Sequence, residues 1–265
     1  MGLLMAMGGA VALEGAAMEC FFAACQARPA PVIVLPTASA LADAGSELAA
    51  ALNGRGIPTQ VLPVRSREQA EDVALAQAVR QAGAIFLTGG NQMRLTALLG
   101  GTALHAAMLT AWQAGAVVAG TSAGAAALSA LMIAYGRAGQ LPAQGMAQLA
   151  PGLGFRQDLV FDQHFRQRNR LGRLMYAVAL NPGLLGVGVD ENTVAVLDGQ
   201  MLRVAGAGSV TLVDGRHLTV SNISEITRGA LALSHVQLHF LTPGCRFDFE
   251  RHTVHIPMDV LAVDG

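Results

Sequence analysis

The residues with the clearest chemical potential in this chain are Gly120-Thr121-Ser122-Ala123-Gly124. An apolar run, Val117-Val118-Ala119, stops at Gly120, and a helix-like run of small residues starts at Ala123. A serine in a sharp strand-to-helix turn between glycines has the G-x-S-x-G form of a nucleophile elbow. Such a turn strains the backbone, and small neighbours leave room for a substrate to reach the serine oxygen. The N–H that follows the serine, at Ala123, then becomes a donor to the oxyanion of an acyl-transfer intermediate. An ordinary glycine-rich βα turn has the same pattern, so the assignment requires a base, an acid and a pocket elsewhere in the chain.

Of the seven histidines, His164 ends an apolar run just as Ser122 does, which makes it the candidate base. His105 lies in an apolar helical stretch and reads as a packing or capping residue. His217 follows an Asp-Gly turn. His235, His239, His252 and His255 lie in the C-terminal part with Asp248 and Glu250. An H-x-x-x-H pair on one strand face fixes no third ligand, so no metal is expected there. The candidate acid is Asp190 or Glu191, at the end of the next apolar run. Side chains alternate along a strand, so one of the two faces His164, and spacing alone leaves both open. Arg166, Arg168, Arg170 and Arg173 follow His164 at the start of a helical pattern. Cations are unfavourable at that end of a helix, so the cluster points to an anion, such as a substrate carboxylate, with a solvated arginine face an equal reading for Arg166 and Arg173.

These groups need strands and turns to hold them. Apolar strand-like runs (Gly2–Gly9, Pro31–Leu35, Thr59–Val64, Ala84–Leu87, Val117–Gly120) alternate with helical patterns (Leu13–Gln26, Leu41–Leu52, Ser66–Ala82, Thr102–Gln113). Ser66 followed by Gln69 forms a capping-box start. Strands that are apolar throughout predict an α/β fold with a mostly parallel sheet covered by helices on both faces. Sites in such folds lie beyond the carboxyl ends of the strands, where Pro36–Ser39, Gly89–Gln92 and Gly120–Gly124 all fall. Gln140–Gly154, rich in Gly, Pro and Gln, reads as a surface excursion near the pocket. Strands at Asp158–Phe161 and Leu184–Val189 flank a helix over Gln167–Leu180. Beyond them, Asp198-Gly199 and Asp214-Gly215 predict hairpin turns in an antiparallel C-terminal extension through Val236–Phe240, Arg246–Phe249 and Thr253–Val263. No linker or repeat interrupts residues 1–265, which predicts a single domain.

Composition narrows the function. The chain of 265 residues is 52% hydrophobic and 13% charged, with a formal charge of −1. No basic field points to nucleic acid, and the low charge predicts a covered surface, most simply a homodimer. All 17 basic residues are arginine, which excludes a Walker lysine, a Schiff-base lysine and a Ser-Lys dyad. Cys20, Cys25 and Cys245 form neither a disulfide framework nor a zinc motif, so the cytoplasm is the expected location. Met1–Leu13 lacks the basic start of a signal peptide. Leu95–Gly136 carries no Asp, Glu, Arg or Lys but is broken by glycines and polar residues, so core or subunit interface is expected rather than a membrane span.

Taken together, Gly89-Gly90-Asn91-Gln92, Gly120-Thr121-Ser122-Ala123-Gly124-Ala125, Asp162-Gln163-His164-Phe165 with its arginines, and Val189-Asp190-Glu191-Asn192-Thr193 resemble the cyanophycinases. These are serine peptidases related to aspartyl dipeptidases. The resemblance runs in order from about Gly8 to the C-terminus. It implies a class I glutamine amidotransferase-like fold, a cofactor-free and metal-free dimer, and a serine-type exopeptidase. The implied reaction is hydrolysis of cyanophycin, poly-aspartate with arginine on each β-carboxylate, to β-Asp-Arg dipeptides. It further implies Ser122 as nucleophile, His164 as base and Glu191 as acid. Gly90 and Asn91 would join Ala123 in the oxyanion hole, and Gln92, Asp162, Gln163, Arg168, Arg170 and Arg173 would line the substrate pocket, Asp162 accepting the substrate guanidinium. The order Ser…His…acid differs from that of α/β-hydrolase esterases and lipases. The chain departs from the family in its Gly8-Gly9-Ala10 turn, with Glu14 further on, in Asn91 where an acid is usual, and in its lack of lysine. Two other functions are compatible with the sequence: hydrolysis of small aspartyl or isoaspartyl peptides, and non-catalytic binding on the same fold.

Overall fold

The computed structural model describes residues 1–225 and 228–257. The first half contains β1 (Leu4–Met7), α1 (Ala16–Gln26), β2 (Val32–Leu35), α2 (Ser46–Gly54), β3 (Thr59–Val61), α3 (Arg67–Ala70), α4 (Val73–Arg80), β4 (Ala84–Leu87), α5 (Gln92–Leu99), α6 (Ala103–Gln113), β5 (Val117–Thr121) and α7 (Ala123–Ala126). The second half begins with β6 (Leu131–Gly136), β7 (Ala147–Pro151), β8 (Leu159–Asp162), α8 (Leu171–Leu180) and β9 (Leu185–Val189). It continues through β10 (Thr193–Asp198), β11 (Met201–Gly206), β12 (Val210–Asp214), β13 (Val220–Ser221), β14 (Leu233–Ser234), β15 (Gln237–Leu241), β16 (Arg246–Asp248) and β17 (Thr253–His255).

The main sheet has the order β17-β16-β11-β10-β1-β5-β4-β2-β3. From β1 to β3 its five strands are parallel, and β10, β11, β16 and β17 extend it antiparallel. Alternate residues supply both faces. Met5, Met7, Val32, Val34, Phe86 and Ala119 pack under Met18, Phe21 and Phe22 of α1 and Leu48 and Leu52 of α2. Leu4, Ala6, Ile33, Ile85 and Val118 pack under Val79 of α4 and Leu104 and Met108 of α6. Burial on both sides explains why these strands are apolar at every position.

A second sheet, β15-β12-β9-β8, pairs β8 and β9 in parallel and adds β12 and β15 antiparallel. Phe161, Val187, Val189 and Leu212 of this sheet join the buried cluster that holds Ala195 and Val204 of the first. The two strands that end at His164 and Glu191 therefore belong to a separate sheet packed on the main one.

Several elements differ from the sequence expectation. The predicted helix over Ser66–Ala82 is two helices, because Asp72 starts a new one by accepting the Ala74 and Leu75 N–H groups at 2.7 and 3.1 Å. The serine half of the capping box at Ser66 is present, its Oγ accepting the Gln69 N–H, whereas Gln69 Oε1 accepts the N–H of Arg65, one residue before the cap. The helix predicted from Leu41 starts at Ser46, after Gly45 at φ +88°. Gln140–Gly154 is no mere excursion, since its β7 pairs antiparallel with β6. Asp198-Gly199 turns β10 into β11 as expected. Asp214-Gly215 does not close a hairpin, because β12 pairs with the later β15. The strand expected to reach Val263 is described only as Thr253–His255, and its continuation from residue 258 lies outside the described residues.

No single helix among the described residues is long and apolar enough to cross a membrane; α5 and α6 reach that length only together and are bent 98° at their break. The charge-free stretch Leu95–Gly136 is core, with Leu95, Leu99, Leu104, Met108 and Val118 fully buried.

Phe21 is fully buried and meets the Phe86 ring edge-on at 5.1 Å between centroids. Phe21→Ala is expected to destabilise the fold by about 3–5 kcal/mol, read as a lower urea midpoint with an unchanged slope. A loss below ~1 kcal/mol would mean that α1 does not anchor this face.

Candidate active site

Ser122 follows the last residue of β5 and begins α7 at φ +52°, ψ −113°, a conformation that non-glycine residues rarely adopt. The glycines around it are explained by close packing. A Cβ on Gly120 would stand 2.4 Å from the Gly124 backbone, and one on Gly124 would stand 2.3 Å from the Leu87 carbonyl oxygen. The pattern thus lets β5, α7 and β4 touch, and that contact forces Ser122 outward.

Ser122 Oγ lies 3.0 Å from His164 Nε2, and His164 Nδ1 lies 2.5 Å from Glu191 Oε1. His164 is itself at φ +45° and is buried, while Glu191 is about one-third exposed. The geometry separates the two acids that spacing left open. Asp190 points the other way: its Oδ1 accepts the Arg166 N–H at 3.0 Å, and its Oδ2 accepts the Ser209 N–H and hydroxyl at 3.0 and 2.8 Å.

Three consecutive carbonyls at the end of β1 align this set. Met7 O accepts the Ser122 N–H at 3.0 Å, Gly8 O accepts the His164 N–H at 2.6 Å, and Gly9 O accepts the Asn192 N–H, beside Glu191, at 2.9 Å. Gly9 has φ +93°, and a Cβ there would lie 2.4 Å from the His164 ring, so glycine is required. Phe165 anchors the next residue, its ring resting on Gly188, where a Cβ would come within 2.6 Å. The Glu191 N–H donates to Gln167 Oε1 at 3.0 Å. Sequence reasoning missed Gly9, Gln167 and Asn192. The Gly8-Gly9 pair after a strand was the available signal; nothing local marked Gln167.

The oxyanion expectation is narrowed. The Asn91 N–H donates to the Ala38 carbonyl at 2.9 Å and its Oδ1 caps α5 by accepting the Met93 and Arg94 N–H groups, so the Asn91 backbone N–H is not free for an oxyanion. Gly90, at φ +142°, fits against Ala38, and Gly89 packs on Ser122. The N–H groups of Ala123 and Gly90 have no acceptor among the described residues. Pro36–Ser39 therefore buttresses the Gly89–Gln92 loop rather than facing the nucleophile.

The expected substrate-pocket residues divide. Asp162, 1% exposed, is taken by a bidentate Arg173, by Arg170 at 3.5 Å and by the Gln163 N–H at 2.9 Å. It has no free face for a substrate guanidinium, and Arg173, equally buried, is its partner rather than a substrate clamp. Gln92 Nε2 donates to the Ile133 and Ala134 carbonyls and ties α5 to β6. Gln163 Oε1 sits 3.4 Å from Ser122 Oγ. Arg170 donates to the Gln163 carbonyl; burial and the like charges of Arg173 and Arg168, opposed by Asp162, bring its guanidinium down to about 10. Arg168 is exposed and its charge acts on His164.

Ser122 lies in the wall of a cleft of about 650 Å³, shared with Gly9–Glu14, Glu47, Phe86, Thr88 and Gly89. Glu14 and Glu47 are exposed carboxylates there, and neither was singled out as a site residue. His105 caps, accepting the Gly101 N–H and meeting the Leu153 carbonyl. Among the described residues no group of three or more His, Cys, Asp or Glu side chains is arranged to hold a metal.

A serine, a histidine and a carboxylate hydrogen-bonded in series, with the serine at a cleft, form the arrangement that an acyl-transfer hydrolase requires. Residues 3–205 match peptidase family S51; the chain belongs to that family and is a serine-type peptidase. It is 37% identical to a cyanophycinase of Synechococcus elongatus, covering 96% of this chain and 81% of that protein. It is 36% identical to one of Trichormus variabilis over 89% and 81%, and 40% identical to one of Geminocystis herdmanii over 73% and 72%. The fold is also that of a peptidase from an acI-B1 Actinobacterium, with TM-score 0.66 and 22% identity over 89% of this chain and 96% of that one.

Burial holds the His164 imidazole below the ordinary histidine pKa; Glu191 opposes this, and Arg168 and Arg170 add to it. A base active as the neutral ring then gives an acid limb of the rate profile below the usual histidine range. Arg168→Gln removes a repelling cation, so that limb is expected to move to higher pH, measured as the pH dependence of Ser122 labelling by a serine-directed phosphonate.

Proposed function

We propose that the chain is a cyanophycinase-type peptidase that hydrolyses cyanophycin to β-Asp-Arg dipeptides. Ser122 Oγ attacks the backbone amide carbonyl while His164 Nε2 takes its proton, and Glu191 holds the imidazolium that forms. The Ala123 and Gly90 amides receive the developing oxyanion. The tetrahedral adduct collapses, His164 returns the proton to the leaving amine, and an acyl-serine ester remains. Water, deprotonated by the same imidazole, attacks the ester and frees Ser122. The observation that carries this reading is the unbroken Ser122–His164–Glu191 chain of 3.0 and 2.5 Å, whose serine stands in the wall of the cleft. Its conjunction with 36–40% identity to cyanophycinases supports the substrate.

Charge on either side of the nucleophile supports the same substrate. Arg168, beside the base, suits a substrate carboxylate. Glu14 and Glu47, in the cleft wall, suit the guanidinium that each β-linked arginine presents, the role Asp162 is too fully occupied to fill. The homodimer and the cytoplasmic location expected from composition belong to this reading as well.

Ser122→Ala is expected to retain the fold and to lower release of β-Asp-Arg from insoluble cyanophycin by roughly a thousandfold or more, followed by mass analysis of the products. Wild-type rates in that variant would overturn the mechanism. Cleavage of free aspartyl dipeptides but not polymer would move the substrate. Glu14→Gln and Glu47→Gln are each expected to raise KM for arginine-bearing substrate by about tenfold, the ~1.5 kcal/mol of one charged hydrogen bond, with kcat retained.

A further inference from the structure

Asp190 is a buried carboxylate that the proposed reaction does not use. It is 1% exposed and stands at the end of β9, immediately before Glu191. Every hydrogen bond of its side chain reaches a different part of the chain from its own. Oδ1 takes the N–H of Arg166, two residues past His164. Oδ2 takes both the N–H and the hydroxyl of Ser209, in the turn between β11 and β12. The exposed Arg166 side chain adds an Nε–Oδ2 contact of 3.4 Å. Its main chain is held as well, the Asp190 N–H donating to Ser209 O at 3.1 Å. Space is reserved for this arrangement: a Cβ on Gly208 would stand 2.6 Å from the Asp190 Cβ, and one on Gly8 would stand 1.9 Å from its carbonyl oxygen.

We infer that Asp190 is a positioning residue, whose carboxylate locks the turn carrying His164 against the turn carrying Glu191 and so sets the contact between base and acid. His164 has a left-handed backbone at φ +45°, and Asn192, just beyond Glu191, has one at φ +51°. Both turns are strained and both project from the edge of one sheet, so neither holds its side chain in place unaided. The β1 carbonyls fix the His164 and Asn192 N–H groups. Asp190 fixes what lies between them, joining the two turns directly and tying both to Ser209. Three donors converge on one carboxylate, and asparagine cannot replace it. Its amide nitrogen would face either the Arg166 N–H or the Ser209 N–H, donor against donor, so one of the two loops is released.

The inference rests on the reading of Ser122, His164 and Glu191 as the reacting set, and the test separates the two. Ser122 of the full chain is labelled with a serine-directed phosphonate, and the limiting rate and the half-saturating concentration are determined across pH. Asp190→Asn is expected to lower the limiting rate by about ten- to a hundredfold and leave half-saturation unchanged. Its acid limb is expected to shift to lower pH, because His164 is faced by Glu191, which raises its pKa, and by Arg168 and Arg170, which lower it; a loosened Glu191 leaves the cations dominant. Ser209→Ala, which removes only the hydroxyl contact, is expected to move the limiting rate and the limb in the same sense by less. Wild-type rate and limb in Asp190→Asn would overturn the inference, as would a loss that follows thermal unfolding alone and vanishes on cooling. A wild-type chain that takes no label would overturn the site reading itself, and the inference with it.

Discussion

The site depends on the exposed end of one central strand. Met7, Gly8 and Gly9 offer three carbonyls in succession, and each accepts an N–H from a different turn, those of Ser122, His164 and Asn192. A strand end leaves its last acceptors without ladder partners, and buried acceptors of this kind must be satisfied. Here the need is met by the turns that carry Ser122, His164 and Glu191. Ser122 comes from the same sheet as β1, whereas His164 and Glu191 come from the second sheet, so these bonds also hold the two sheets in register at their edge. Strain is tolerated because it is over-determined: Ser122, His164 and Asn192 all have positive φ and are bonded on both sides.

The arginines that follow His164 show how one residue type divides into two roles. Arg173 and Asp162 form a bidentate pair at 7% and 1% side-chain exposure. In that position a planar guanidinium satisfies both carboxylate oxygens at once, which lysine could not do. Removing Asp162 would leave the Arg173 charge buried without a carboxylate, and removing Arg173 would leave Asp162 only the longer Arg170 contact and the Gln163 N–H. Arg170 bridges to this pair and to the Gln163 carbonyl, extending a rigid base beneath the turn. Arg168, two residues away, is left to solvent. A run of basic residues thus holds both the foundation of the site and the charge at its rim.

Much of this was legible in the sequence. The parallel strands, the tight turn at Ser122, the strand end at His164 and the acidic strand end all showed in local pattern, because burial on both faces and tight turns leave compositional marks. What was not legible depends on distant contacts. Asp162 carries no local sign that Arg173 is folded back onto it, and the choice between Asp190 and Glu191 turns on Ser209, far along the chain. Asn91 resembled an oxyanion residue by position, but its N–H is taken by Ala38, from another strand end. Glu47 reaches the cleft from the first turn of α2, which starts late, after Gly45, and Glu14 reaches it from the loop between Gly9 and α1. The second sheet was missed for a related reason: β8 and β9 look like any apolar strands, and no periodicity tells which sheet a strand joins.

The three carbonyl contacts also have a temporal side. Each links the start of the chain to residues more than a hundred positions later, and the last of them waits for Asn192. Loops of that length close slowly, and contacts of high sequence separation form late in folding. During synthesis the chain folds from its N-terminal end, so the main sheet has the residues for its parallel half well before Ser122 has His164 or Glu191 beside it. On the proposed mechanism, a chain that ends before Glu191 carries an inert serine. Hydrolytic competence on that mechanism waits until the chain has emerged past Asn192, so the peptidase is silent until that point of its synthesis.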